Sequence, residues 1–277
     1  MLSEHHPSAC FNMKLTFYKY QGTGNDFIMV DDRSESFDHD NIQLVSGLCD
    51  RKFGVGADGL ILIRNRDGYD FEMIYFNPDG TQSMCGNGAR CAVAFSQYLG
   101  IISGSGEFLA IDGPHVGRSN DGQVELSIRP VAGLLKKEDD YFVDTGSPHH
   151  VRFVDHVNEY PVVEVGKQIR NSSRYSPYGS NVNFVSKISA DQIYVRTYER
   201  GVENETLSCG TGVTASALVF GFLNGIDQIN IQTPGGSLGV RFTLDSNGGF
   251  QDIFLTGPAV QVFQGTMELM AKGPSIK

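Results

Sequence analysis

Two cysteines in this chain stand in the same local setting: Cys85-Gly-Asn-Gly-Ala-Arg-Cys-Ala and Cys209-Gly-Thr-Gly-Val-Thr-Ala-Ser-Ala. Each precedes Gly-x-Gly at the start of an apolar run that reads as a helix. A thiol at a helix N-terminus faces unpaired backbone N–H groups and the positive end of the helix dipole, which favours its thiolate form. One such thiol suggests a nucleophile; two suggest a matched base and acid. Inverting a carbon centre needs that pair, because one group removes a proton from one face while the other delivers a proton to the opposite face. With an unperturbed thiol pKa of ~8.5, lowered at a helix start, a thiolate/thiol pair near neutral pH is chemically reasonable. The Gly-x-Gly amides can hold a carboxylate beside the reacting carbon, where negative charge grows. This chemistry requires no cofactor.

The elements that must position these thiols are themselves duplicated. Cys91-Ala-Val-Ala-Phe-Ser-Gln-Tyr-Leu ends at Gly100, and Ala215-Ser-Ala-Leu-Val-Phe-Gly-Phe-Leu-Asn ends at Gly225. Both glycines suit a left-handed position after a helix. The helices are apolar on most sides, so sheet is expected to wrap them. Phe108-Leu-Ala-Ile-Asp-Gly-Pro and Ile229-Asn-Ile-Gln-Thr-Pro-Gly-Gly follow, with turns at Asn120-Asp-Gly and Asn247-Gly-Gly that read as hairpins. Strand, helix and hairpin recur in one order, the mark of a duplicated unit. The sequence thus predicts an α+β protein of two pseudo-symmetric domains, each a mixed sheet wrapped around one helix, with the thiols facing a shared cleft. The expected boundaries are an N-terminal extension over 1–12, a first domain over 13–129 joined by 260–266, and a second domain over 130–259.

Composition sets limits. The 277 residues can bury a full core, and a net charge of −10 argues against nucleic acid and anionic membrane surfaces as partners. No apolar run approaches the ~18 residues of a membrane span, and residues 1–12 lack a signal-peptide core. Five cysteines without an export signal fit a reducing cytoplasm. Cys49 and Cys91 read as small buried hydrophobes, and the cysteine spacing does not make a zinc site.

From Met13 to Gly265 the chain resembles the diaminopimelate epimerase family. The resemblance rests on Gly22-Thr-Gly-Asn-Asp-Phe, Arg51-Lys-Phe-Gly-Val-Gly-Ala-Asp-Gly, Phe76-Asn-Pro-Asp-Gly, Tyr198-Glu-Arg-Gly and the two Cys-Gly-x-Gly segments. It implies a cofactor-independent epimerase of lysine biosynthesis, without a metal, acting on LL- and meso-2,6-diaminopimelate as a cytoplasmic homodimer. It also implies that Cys85 and Cys209 are the acid/base thiols, and that Asn25, Gly86, Asn87, Gly210 and Thr211 grip the reacting amino acid end. Asn77, Asn183, Glu199 and Arg200 would grip the distal end, with His149 near the cysteines. Arg200 can fork onto a carboxylate and Glu199 can accept from an ammonium. There are two departures. Ser147 stands where many members have an asparagine for the distal carboxylate, and Gly59 where some carry glutamine. A proline or hydroxyproline racemase, with related two-cysteine logic, would leave Arg200, Glu199, Asn77 and Asn183 without a purpose. A redox sensor would join Cys85 and Cys209 in a disulfide.

Overall fold

The computed structural model describes residues 12–270, with their side chains from 14 to 269; most of the expected extension over 1–12 lies outside the described residues. Chain order begins β1 (Asn12–Gly22), β2 (Asn25–Asp31), α1 (Ile42–Cys49), β3 (Gly59–Arg66), β4 (Tyr69–Phe76) and α2 (Gly86–Tyr98). The hairpin strands β5 (Ser105–Ala110), β6 (Gly113–Asn120) and β7 (Gln123–Ile128) close this half. The second half runs β8 (Leu135–Lys137), β9 (Asp140–Asp144), β10 (Pro148–Phe153), α3 (Val162–Arg170), β11 (Asn181–Lys187), β12 (Gln192–Glu199) and β13 (Asn204–Thr206). It continues through α4 (Gly210–Asn224), β14 (Gln228–Thr233), β15 (Gly236–Leu244) and β16 (Phe250–Pro258), and the last strand is β17 (Val260–Met270).

The pairings expose the duplication. From β1 through β7 each strand pairs with the next, and the steps β2–β3 and β4–β5 are parallel while the rest are antiparallel. From β9 the same alternation appears: β10–β11 and β12–β14 are parallel, and the other steps to β16 are antiparallel. The two ladders join where β7 pairs antiparallel with β16. β17 returns to pair antiparallel with β1. Parallel steps need crossovers, and the helices supply them. Thus α1 and α3 occupy equivalent places, as do α2 and α4.

Burial follows from this wrapping. In β3, Ile61 and Ile63 join the core around α2, whereas Leu60 and Leu62 join the core that holds Val45 and Leu48 of α1. A strand covered on both faces must be apolar at every position, and β3 is buried from Gly59 to Ile63. In β11, Val185 faces the α4 core, while Val182 and Phe184 pack in the cluster with Val162 of α3. Helix α4 ends at Gly225, whose φ of 68° closes the helix in the left-handed region.

Candidate active site

The starts of α2 and α4 converge. A Cβ built on Gly210 would lie 3.5 Å from the Gly86 Cα, so the absence of side chains at both positions permits the close approach. Cys85 and Cys209 are the N-cap residues of these helices. They line one cleft of about 910 Å³ together with Asn25, Asn87, Thr211 and Glu199. Two positive helix ends and two thiols therefore meet in a single space. The four cysteines among the described residues are free thiols.

The thiols differ in their supports. The Cys85 sulfur accepts from the Gly88 backbone N–H at 3.5 Å and from Asn25 Nδ2 at 3.8 Å. Cys209 Sγ lies 3.6 Å from Thr211 Oγ1, and that hydroxyl lies 2.9 Å from His149 Nε2. Thr197 donates to Asn183 Oδ1, and Asn183 Nδ2 reaches both the His150 carbonyl and His149 Nδ1. This orients the amide, so His149 Nδ1 accepts and Nε2–H donates to Thr211. The Thr211 hydrogen is then free to point at Cys209. Burial, followed by the charge of Arg200, holds His149 down at about 3, so the ring is neutral at physiological pH.

The helix starts do not lower the thiols as the sequence suggests, because burial outweighs the backbone amides: it pushes the Cys85 thiol up to about 11, with the Gly88 amide opposing and Glu199 reinforcing the shift. Cys209 is also raised, by burial first and Glu199 second, against the Thr211 hydroxyl. Glu199 is itself raised by burial, partly offset by a hydrogen bond from Thr206 Oγ1 at 2.9 Å. Arg200 goes elsewhere: its Nη1 donates to the Tyr178 carbonyl and its backbone N–H to Asn181 Oδ1. The two neighbours thus have separate partners, leaving one acidic and one basic head in the cleft wall.

Asn77, Gly86, Arg200 and Gly210 line the cleft as well. Asn77 Nδ2 donates to Thr81 Oγ1 and Ser83 Oγ. Three candidates do not form its wall. Asn183 and His149 are fully buried behind Thr211. Ser147 accepts from Asn181 Nδ2, so its link to the cleft runs through Asn181 to the Arg200 backbone. At Gly59 a Cβ would collide with the Tyr75 ring and the Phe76 carbonyl. Tyr75 lines the cleft and fills the space a longer side chain would use.

Sequence reasoning missed Asn181, Tyr75 and Ser208. The last lines the cleft next to Cys209, and among the described residues its buried hydroxyl has no partner; Asn25 Oδ1 is likewise unpartnered among them. Buried polar atoms normally find partners, so both are open to a ligand. Among the described residues no group of three or more His, Cys, Asp or Glu side chains is placed to hold a metal ion.

A sequence model described as "Diaminopimelate epimerase" matches residues 17–105 and 141–262. A diaminopimelate epimerase of Flavobacterium psychrophilum is 49% identical over 260 residues, covering 92% of this chain and 100% of that protein. One from Aquifex aeolicus is 39% identical, covering 91% and 98%. Among solved structures, a Bacillus anthracis phenazine biosynthesis protein of the PhzF family aligns with a TM-score of 0.72 at 13% identity, over 92% of this chain and 99% of that one. A hydroxyproline epimerase from Agrobacterium vitis aligns with a TM-score of 0.69 at 14% identity, over 95% of each chain. These two structures share the fold.

Proposed function

Because the chain belongs to the diaminopimelate epimerase family, we propose that Cys85 and Cys209 are the two proton-transfer groups with which it epimerises 2,6-diaminopimelate. The reaction interconverts the LL and meso forms, a step of lysine biosynthesis. The observation that carries the residue assignment is the convergence of two duplicated helix starts, each capped by a thiol, on one cleft.

The steps balance without an external reagent. One cysteine, as thiolate, takes the α-hydrogen and becomes a thiol. The electron pair left on carbon spreads into the α-carboxylate, which the amides of Gly86, Asn87, Gly210 and Thr211 face. The opposite thiol gives its proton to the other face of the carbon and becomes the thiolate. Asn25 Oδ1 suits the substrate's α-ammonium as an acceptor. Glu199, Arg200 and Asn77 hold the distal ammonium and carboxylate, with Asn183 and His149 supporting from behind and Ser147 acting through Asn181. Domains over 13–129 with 260–266, and over 130–259, close on the substrate and exclude water. The chain acts in the cytoplasm, where thiols stay reduced, and as a homodimer. The outer edge of β17, with Val260, Val262 and Phe263 about half exposed, supports the dimer, because an apolar strand edge is normally covered.

Solvent deuterium tests the function. Reduced protein washes deuterium into the α-position of LL- and meso-diaminopimelate and leaves proline untouched. Exchange of proline alone identifies a racemase of the other class. No exchange with either, together with reversible thiol oxidation, identifies a sensor.

The pH dependence has a fixed sign. Both thiols are raised, so the empty site near neutral pH holds them mostly protonated, and kcat/KM climbs through the lower window, from about pH 7 to about pH 9, and on toward about 11 as a thiolate becomes available. Stability moves oppositely. A thiol raised from the ordinary 9.0 to about 11 contributes stability below 9 that is lost as pH rises through 11. A rate that falls across the lower window would contradict the thiolate mechanism.

A further inference from the structure

Arg90 lies in α2, five residues past Cys85, where a helical arginine ordinarily reaches solvent. Here it is fully buried, the bulkiest such side chain among the described residues. No carboxylate pairs with it among those residues. Nε donates to the Pro258 carbonyl at 3.5 Å, and Nη2 to Thr23 Oγ1 at 3.2 Å and Asn87 Oδ1 at 3.1 Å. Nη1 has no partner. Space for the group exists because two neighbours are glycines: Cβ atoms on Gly22 and Gly257 would stand 3.3 Å from Nη2 and 3.0 Å from Nε.

These contacts meet where the halves meet. Thr23 sits in the β1–β2 turn at a φ of 51°, and a Cβ on Gly235, in the β14–β15 turn, would strike the Thr23 carbonyl. Pro258 ends β16, directly before the strand that returns to β1. Asn87 carries the connection across: with its Oδ1 held by Arg90, its Nδ2 donates to the Ser208 carbonyl at 3.1 Å, one residue before Cys209. Burying a guanidinium without a counter-charge is unfavourable, and an apolar side chain would fill the volume at lower cost. The position therefore uses what only arginine has, a permanent charge on a planar fork.

We propose that Arg90 is a positioning residue for the thiol pair: its fork locks Asn87 onto Ser208 and so sets Cys85 against Cys209, and its unneutralised charge stands behind the Cys85 thiolate. This rests on the reading of the two cysteines as the proton-transfer groups. The charge is complemented only when negative charge develops in the cleft, on a thiolate or on the substrate carboxylate.

The test compares Arg90→Met and Arg90→Lys with the unaltered full-length protein, following kcat, KM and the pH profile of iodoacetamide alkylation of Cys85, resolved by peptide mass spectrometry. Arg90→Met lowers kcat by about tenfold or more, since small misplacements near the chemistry have effects of this size, and leaves KM within about threefold. It also moves the Cys85 alkylation profile to higher pH, the direction expected when a positive charge whose field lowers that thiol is removed. Arg90→Lys also loses kcat, because an ammonium cannot span Thr23, Asn87 and Pro258, and it moves the profile the same way, because a lysine buried without a counter-charge gives up its proton. A folded Arg90→Met protein with unchanged kcat and alkylation profile overturns the proposal. If that variant does not fold, an Arg90→Lys protein with undiminished kcat overturns it. Unaltered protein that washes no deuterium into diaminopimelate refutes the underlying function instead, and the alkylation profiles still report on Arg90.

Discussion

Cys85→Ala and Cys209→Ala each lower the rate of diaminopimelate epimerisation by about 10³-fold, near the middle of what a positioned acid or base contributes, and leave the fold intact. The fold survives because neither sulfur is a strong cap. As a cap, Cys85 accepts a long 3.5 Å contact from Gly88, and Cys209 makes no capping bond. The two variants are not equivalent, however. In each, the remaining thiolate still removes the α-hydrogen of the isomer that presents it to that face. It can return only to the same face, so deuterium enters one isomer without inversion. The Cys85→Ala and Cys209→Ala proteins therefore exchange opposite isomers, a pattern read by chiral separation followed by mass spectrometry. A variant retaining more than about a tenth of the rate, or two variants exchanging the same isomer, would remove the two-base reading.

How much of this was legible beforehand depends on the range of each signal. The thiols, the glycines after them and the two hairpins are short-range features, and they stand out because both copies kept them. The first part of each repeat did not stand out. Helices α1 and α3 occupy equivalent crossovers, yet Ile42–Cys49 and Val162–Arg170 share no visible pattern; only strand order reveals their kinship. The site divides in the same way. Cys85, Asn25 and Thr211 lie in motifs and line the cleft. Asn183 and His149 also lie in recognisable segments, but their relation depends on the parallel register of β10 and β11, which sets His149 opposite Asn181 and Val151 opposite Asn183. A sequence does not display register. Tyr75 over Gly59 depends likewise on the β3–β4 pairing, in which Leu60 opposes Phe76. Arg90 was illegible for a different reason. An arginine inside a helix reads as solvent-exposed, and its burial follows from glycines 68 residues before and 167 residues after it.

Glu199→Gln gives the sharpest separation of roles, because two of its effects run in opposite directions. Glu199 ends β12, and its carboxylate raises both Cys85 and Cys209. A neutral amide of the same shape removes that repulsion, so both thiols ionise more readily. Alkylation of each at fixed pH near 8 speeds up by roughly three- to tenfold, a shift of about half to one unit. Were thiolate supply all that mattered, epimerisation would speed up too. The substrate's distal ammonium, however, loses a charge-assisted hydrogen bond worth roughly 1.5–3 kcal/mol. KM therefore rises by about ten- to a hundredfold, more than the thiolate gain restores, and kcat/KM falls. If Glu199 were only half of a surface ion pair with Arg200, neither quantity would move; the geometry already speaks against that, since Glu199 bonds Thr206 while Arg200 bonds Tyr178. Thiols that react no faster in the Glu199→Gln protein, with KM unchanged, would show that the carboxylate touches neither the substrate nor the field of the cysteines. More reactive thiols in a poorer enzyme would place Glu199 between the two, holding the anchored end of the substrate while keeping both thiols protonated until it binds.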